Sequence, residues 1–338
     1  MNPPQPPPHP MLAAAADRIS GAERIWLGTH LDPDGDAIGS LLGLGHILAA
    51  RGHAVTLACQ DPPAREVAFL PGVERITHSG PDNHDLAIAL DAADAGRLGR
   101  LFTPSAWSQQ PTIVVDHHIS NPGFGDINVI DPTAASTAEL VIELADQLGA
   151  AIDEAAATCL LTAIVTDTLG FRTSNTTARS LACAGRMVGL GASLADISQR
   201  VFFTRPLASL RLTGRALDHL EIDGPFALAW ISQADLAEFG IGLDETQDLT
   251  RLLSTAAEPI AIALVRERAD GQIDVSLRSK PGVDVVPAAK SLGGGGHPQA
   301  AGARIPGPLD NALGVVRRAM AAHVAVPLAV PTASRVDR

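Results

Sequence analysis

The sequence predicts an α/β protein: an N-terminal doubly wound, mainly parallel sheet linked to a smaller C-terminal α/β domain with a mixed sheet. Three observations carry this expectation. The chain has 338 residues, about two domains at roughly 150 residues each. Its first half holds four short, continuously apolar runs with helical stretches around them, the pattern of strands covered on both faces. Strand-like runs then recur only after a long helical interval.

In chain order, MNPPQPPPHP opens a Pro-rich tail assigned to 1–12. Residues 24–30 (RIWLGTH) form a first strand, followed by a helix from about Asp36 to Arg51 that Gly52 closes. Residues 54–59 (AVTLAC), 85–91 (DLAIALD) and 112–116 (TIVVD) are the next three strands. Helices are expected over 135–149 and 153–168, and an interrupted helical pattern runs from 176 to 220. A first domain over 13–195 is thus joined by a helical linker, 196–218, to a second over 219–325. The second carries strands at 226–232, 260–266 and 272–279 and helices at 244–254, 283–291 and 309–323, with a tail at 326–338.

Hydrophobic residues make up 46% and charged residues 18%, which excludes a disordered chain. Aromatics are 3%, with no Tyr, so the core must be aliphatic. A formal net charge of −12 argues against a broad basic surface for long duplex DNA or an anionic membrane. It leaves room for a small, locally basic pocket. Cys59, Cys159 and Cys183 are odd in number and form no CxxC pair, so they read as buried thiols of a reducing cytoplasm. No apolar run is long enough to span a bilayer, and the first residues lack the pattern of a signal peptide. A cytoplasmic protein is expected.

The chemistry gathers at strand ends. The first strand ends at His30, with Asp32, Asp34 and Asp36 beyond it; the third ends at Asp91; the fourth ends in Asp116-His117-His118. In open parallel sheets, ligands sit beyond the carboxyl ends of the strands. Taken singly, each Asp is a turn former or a helix cap, and each His a satisfied polar residue. A calcium loop starting at Asp32 fails, because its sixth and twelfth positions are Ala37 and Gly43. Together, imidazoles and several carboxylates without thiolate suit Mn²⁺, with Mg²⁺, Co²⁺ or Fe²⁺ behind it, better than structural zinc. So many carboxylates repel one another unless cations lie between them, and two ions could share them through one bridging carboxylate.

These motifs are similar to those of the DHH phosphoesterase superfamily. His30-x-x-x-Asp34-x-Asp36 resembles its first motif, Asp91 in IALDAAD its second, Asp116-His117-His118 in VVDHHISN its third, and Asp167 in TAIVTDTLGF its fourth. VSLRSK (275–280) and GGGGHPQAAGA (293–303) resemble the DHHA1 domain. Length and domain pairing resemble the bacterial bifunctional oligoribonuclease and pAp phosphatase (NrnA) type. The resemblance implies hydrolysis of very short RNA (nanoRNA) to mononucleotides and of adenosine 3′,5′-bisphosphate (pAp) to AMP and phosphate. Some relatives cleave linear or cyclic di-AMP. It also implies two divalent ions: His30 and Asp34 on one, Asp36, His117 and Asp167 on the other, and Asp91 bridging. Asp116 would orient His117, and His118 would touch the scissile phosphate and serve as proton donor.

Two metals held by these residues would acidify a shared water for in-line attack on phosphorus. Ser40 has no GxSxG elbow around it and reads as a small packing residue of the helix. In the second domain, four glycines alone read as a flexible loop. Beside His297 they fit the DHHA1 nucleic-acid motif, so Gly295, Gly296 and His297 join the substrate-binding set. Arg278 would grip a phosphate with its planar fork, and Arg172 is a weaker candidate. Lys280, Arg266 and Arg268 read as surface residues. Metal centre and end-holding pocket in separate domains would measure substrate length, so partners are short RNA and small nucleotides, with the protein a monomer or homodimer. Alternatives are a manganese-type inorganic pyrophosphatase, a RecJ-like single-strand exonuclease, and a nucleotide-sensing module without catalysis.

Overall fold

The computed structural model describes residues 9–324, so the first eight residues of the tail expected at 1–12, and the tail expected at 326–338, lie outside the described residues, while Leu12 already belongs to a helix. The chain divides into two compact units, Met1–Thr204 and Arg205–Arg338.

The first unit runs α1 (Leu12–Ser20), β1 (Arg24–Gly28), α2 (Gly35–Ala50), β2 (Ala54–Ala58), β3 (Leu86–Leu90), α3 (Pro104–Trp107), β4 (Thr112–Asp116), β5 (Ile127–Ile130), α4 (Thr137–Gln147), α5 (Glu154–Asp167), α6 (Ala178–Gly189) and α7 (Leu194–Phe202). Its sheet is parallel throughout, in the order β2-β1-β3-β4-β5. The four expected strands are present, and β5 is an additional fifth. The run INVI is only four residues long, and an apolar stretch that short carries little periodic signal.

Side-chain alternation explains why the strands read as continuously apolar. Ile25, Leu27, Leu86, Ile88, Ile113 and Val115 face one way, into the large core built with the long helices. Trp26, Ala87, Ala89 and Val114 face the other way, onto Trp107, Leu98 and Leu101. That second cover is thin: a 3₁₀ segment, Ala95–Leu101, and the one-turn α3. Trp26 and Trp107 meet there edge to face at 6.1 Å.

The second unit runs α8 (Leu207–Asp218), β6 (Glu221–Asp223), β7 (Phe226–Ile231), α9 (Gln233–Phe239), α10 (Gln247–Leu253), β8 (Ala261–Glu267), β9 (Gln272–Ser279), α11 (Val286–Ser291), β10 (Gly295–His297), β11 (Ala300–Pro306) and α12 (Leu309–His323). Its sheet has the order β10-β11-β9-β8-β7-β6. Only β7 and β8 pair in parallel, so the sheet is mixed, as expected. The glycine-rich segment corrects the flexible-loop expectation. It folds as an antiparallel hairpin, with Gly295 opposite Gly302, Gly296 opposite Ala301 and His297 opposite Ala300. Among the described residues, no helix is long and apolar enough to cross a membrane.

Candidate metal centre

The parallel sheet delivers six ligand-type side chains to its carboxyl edge. His30 lies two residues past β1 and is 5% exposed. Asp34 is the N-cap of α2, its Oδ1 accepting the N–H groups of Asp36 and Ala37, each at 3.1 Å. Asp36 therefore sits inside the first helical turn, so it is Asp34 and not Asp36 that caps this helix. Asp91 follows β3 directly with φ at 55°, a left-handed backbone that turns its side chain off the strand and over the sheet edge. His117 follows β4, and Asp167 is the last residue of α5.

These residues form two adjoining groups. Ligand atoms of His30, Asp34 and Asp91 lie within 4.8 Å of one another, as do those of Asp36, His117 and Asp167. Asp91 stands between the groups. Its Oδ2 is 3.5 Å from His30 Nε2 and its Oδ1 is 3.6 Å from His117 Nε2. His117 Nε2 is also 3.8 Å from Asp36 Oδ2 and 3.6 Å from Asp167 Oδ2. Both imidazoles are aimed from behind: His30 Nδ1 is 2.6 Å from the Leu31 carbonyl and His117 Nδ1 is 3.3 Å from the Ala134 carbonyl. A ring nitrogen facing a carbonyl carries the proton, which leaves each Nε2 lone pair for a ligand.

The electrostatics of the cluster fit a bound cation. Burial raises Asp36 well above the usual carboxylate range, and the charges of Asp91, Asp167 and Asp34 raise it further. Burial lifts Asp167 to about 6, with Asp91 and Asp34 adding and His117 opposing. Burial works against the imidazolium of His30, but hydrogen bonds to Asp34 and Asp91 prevail and raise it to about 10. Asp34 moves the other way: burial resists, but the His30 contact and backbone donors hold it low. Carboxylates driven toward protonation by one another are the signature of a site that lacks positive charge. Divalent ions between the two groups would supply it.

Asp116 corrects one expectation. It touches His117 only at the backbone, accepting that N–H at 2.9 Å. Its ring partner is His118, whose Nδ1 lies 2.8 Å from Asp116 Oδ1, while Oδ2 takes the Asn121 amide at 2.6 Å. The Asp116 hydrogen bond raises His118 above its ordinary value against the effect of burial, and the His118 side chain is 42% exposed. Ser40 is corrected too. It is buried, and its hydroxyl donates to Asp36 Oδ1 at 3.0 Å, so it positions a ligand as well as packing.

Thr137 had no signal in the sequence reading. The first residue of α4, fully buried, gives its N–H to Asp36 Oδ2 at 2.7 Å and its hydroxyl to Asp91 Oδ1 at 2.9 Å. One residue at a helix start thus holds a carboxylate of α2 with its backbone N–H and the carboxylate past β3 with its hydroxyl. A capping-type Ser-Thr pair ahead of an apolar helix was the available clue, but nothing local pointed it at Asp36 or Asp91.

In the second unit, the strand register places His297, Ala300 and Arg278 in one cross-strand row. Gly295, Gly302 and Ser276 form the next row on the same face, since directly opposed residues share a face. Gly296 belongs to the other face. Its partner Ala301 is buried, its φ is 141°, and a Cβ there would lie 2.6 Å from the Ala300 carbonyl, so it serves close strand packing. Arg278 makes one hydrogen bond, to its neighbour's carbonyl on Leu277 at 2.9 Å, and burial lowers its pKa. Arg266 is no free surface residue: it is half-buried and donates to Thr246 and to Ser276 Oγ. Lys280 donates to the Ala257 carbonyl. Arg172 is exposed, its Nε donating to the Leu169 carbonyl at 2.6 Å and its guanidinium lying 5.8 Å from the centre of the Phe202 ring.

A parallel sheet whose carboxyl edge gathers two imidazoles and four carboxylates defines a metal-dependent phosphoesterase, and comparison with known proteins agrees. Residues 24–164 match the N-terminal domain of the DHH family, and residues 237–322 match the DHHA1 domain. The chain is 36% identical over 310 residues to the bifunctional oligoribonuclease and PAP phosphatase NrnA of Thermus thermophilus, covering 90% of this chain and 92% of that one. It is 28% identical to the Bacillus subtilis protein of the same name, covering 85% and 91%. An exopolyphosphatase-related protein from Bacteroides fragilis shares the fold, with a TM-score of 0.85 at 24% identity over 92% of this chain and 96% of that one. The chain belongs to the DHH phosphoesterase family.

Proposed function

We propose that this phosphoesterase hydrolyses short oligoribonucleotides to mononucleotides and pAp to AMP and phosphate, with linear or cyclic di-AMP as further candidates, and that its two divalent ions are Mn²⁺. The observation that carries the reading is Asp91, which closes the group of His30 and Asp34 and also faces His117 of the group of Asp36, His117 and Asp167. Mixed imidazole and carboxylate donors without thiolate favour Mn²⁺, with Mg²⁺ or Co²⁺ as substitutes. When bound, the ion pair lowers the pKa of a shared water and offsets charge on the phosphoryl oxygens.

The protein's own groups do the rest. His30 and Asp34 would hold one ion, Asp36, His117 and Asp167 the other, and Asp91, whose two oxygens face the two imidazoles, would be shared between them. Asp116 fixes the His118 ring through Nδ1, which leaves Nε2 free on the half-exposed side to give a proton to the leaving oxygen. The Asp116 hydrogen bond raises the pKa of His118, which favours the protonated ring. Arg278 and His297, in one row above a floor of Gly and Ala, would take a phosphate and the nucleoside beside it. The net charge of −12 disfavours long polyanions and so favours short substrates.

A panel with saturating Mn²⁺ tests this: pAp, pApA, cyclic di-AMP, RNA of two to ten nucleotides, and pyrophosphate. Release from pAp and the shortest RNAs, with the rate falling steeply as RNA lengthens, is the expected outcome. Turnover of pyrophosphate alone, or equal rates on all RNA lengths, would overturn it. Asp91→Ala should abolish both metal binding and hydrolysis, and retained activity at saturating Mn²⁺ would contradict a shared bridge.

A further inference from the structure

Arg97 enters no motif discussed so far, yet it is the guanidinium beside the metal centre. It lies in the 3₁₀ segment Ala95–Leu101, whose start is capped by the Asp94 side chain accepting the Arg97 N–H at 3.1 Å. Its carbonyl accepts the Leu31 N–H at 2.7 Å, which ties the segment to the loop carrying His30 and Asp34. From that anchor the side chain returns over His30, placing Nη2 3.1 Å from His30 Nδ1.

That contact cannot satisfy the guanidinium. His30 Nδ1 already faces the Leu31 carbonyl at 2.6 Å, where the ring must be the donor. A protonated nitrogen accepts nothing from Arg97, so two donors meet and the fork keeps its hydrogen-bonding capacity. Arg97 does not ion-pair directly with the acidic cluster either. No carboxylate among the described residues lies within 4.0 Å of the Arg97 guanidinium, whereas Arg24, Arg186 and Arg200 of the same unit each pair with one and Arg179 with three. The Arg172 guanidinium is turned onto Leu169 and Phe202. Arg97 is exposed and stands at the His30 side of the pair of ligand groups.

We propose that Arg97 grips a non-bridging oxygen of the substrate phosphate at the metal centre, the role the sequence reading had left to Arg172 within the first unit. An acceptor of that kind satisfies a planar, five-donor fork and supplies the directly paired negative charge that no carboxylate within 4.0 Å gives it. The inference rests on the phosphoesterase reading of the site and names a substrate contact within it.

The test uses the full-length protein loaded with Mn²⁺ and the variants Arg97→Ala and Arg97→Lys. Inorganic phosphate and AMP are titrated by calorimetry, Mn²⁺ binding is followed by calorimetry and electron paramagnetic resonance, and kcat and KM are measured on pAp. Loss of a charge-assisted contact predicts a fall of about 10- to 100-fold in kcat/KM for Arg97→Ala, with phosphate binding weakened in the same range. Arg97→Lys should be intermediate, and Mn²⁺ binding at both sites should be unchanged in both variants. If Mn²⁺ affinity falls in step with activity and Lys restores both, Arg97 acts through His30 and the proposal is wrong. Unchanged phosphate binding and kinetics also overturn it. If the unaltered protein turns over no phosphoester, the functional reading fails, while the phosphate titration still decides the role of Arg97.

Discussion

At the residue scale, the six ligand-type side chains depend on groups of ordinary chemistry behind them. Thr137 and Ser40 fix Asp36 and Asp91 through hydroxyl and amide donors. Hydrogen bonds to a charged acceptor are stronger than neutral ones, and outer-shell partners of metal ligands commonly matter 10- to 100-fold in metal affinity. Thr137→Val keeps the shape and the backbone N–H but removes the hydroxyl. It should weaken Mn²⁺ binding about tenfold by calorimetry, and Thr137→Ser should restore it. Equal affinity in Val and Ser variants would show that the hydroxyl contributes nothing. His30, Asp34, Asp36, Asp91 and His117 were legible because they stand at strand ends, where a parallel sheet exposes its ligands. Thr137, Ser40 and Arg97 were not, because their roles are set by partners far away in sequence or by a side-chain direction.

At the element scale, the approach of α2 to α5 decides whether Asp167 joins the centre. Gly35, Gly39 and Gly43 form a strip along α2, spaced one turn apart. A Cβ on Gly39 would sit 2.5 Å from the Cys159 carbonyl of α5, and one on Gly35 would meet the Thr166 side chain at 2.4 Å. The bare strip lets the two helices close up, bringing the last residue of α5 to the first turn of α2. Gly39→Ala gains about 1 kcal/mol of helix propensity but overpacks against backbone at a cost of about 1–3 kcal/mol. Net destabilisation in urea unfolding is expected, with weakened Mn²⁺ binding at the Asp167 group. Gly185→Ala in α6, where a Cβ meets nothing within 4 Å, should instead stabilise by about 0.5–1 kcal/mol. If both substitutions stabilise, the close approach of α2 and α5 is not what holds Asp167 in place. The sequence reading recovered α2, α4 and α5 to within a few residues and the α12 bounds as they stand. It missed β5, β6 and β10, of three or four residues each and too brief for periodicity to speak, and the seven-residue β11, whose AAGARIP run carries neither a continuous apolar stretch nor a clean alternation.

At the scale of the whole molecule, the metal-free protein should be sensitive to alkali. Asp167 is raised to about 6 in the folded protein, so its contribution is full below about 3.9 and lost as pH rises through 6. His30 is raised to about 10, so its contribution is full below about 6.5 and lost as pH rises through 10. Both act in the same direction. The melting temperature of the metal-free protein should fall from about pH 4 to 6 through Asp167 and again between about pH 6.5 and 10 through His30, and saturating Mn²⁺ should flatten the slope because the ions replace the missing positive charge. A flat metal-free profile, or one that Mn²⁺ leaves steep, would contradict this account of the cluster.

What the sequence by itself determined was the class of each part. Continuous apolar runs required a sheet covered on both faces, acidic and imidazole residues at strand ends marked the carboxyl edge, and the ordered motifs identified the family. Tertiary structure alone decided which atoms meet. Asp116 serves the ring of His118 and not that of His117, Thr137 reaches two carboxylates at once, and Gly296 shares a sheet face with Ala301 while His297 shares the other with Arg278. Patterning is a property of neighbours along the chain, whereas a hydrogen bond or a shared ligand group depends on distances between segments, set by strand register and by how closely helices pack.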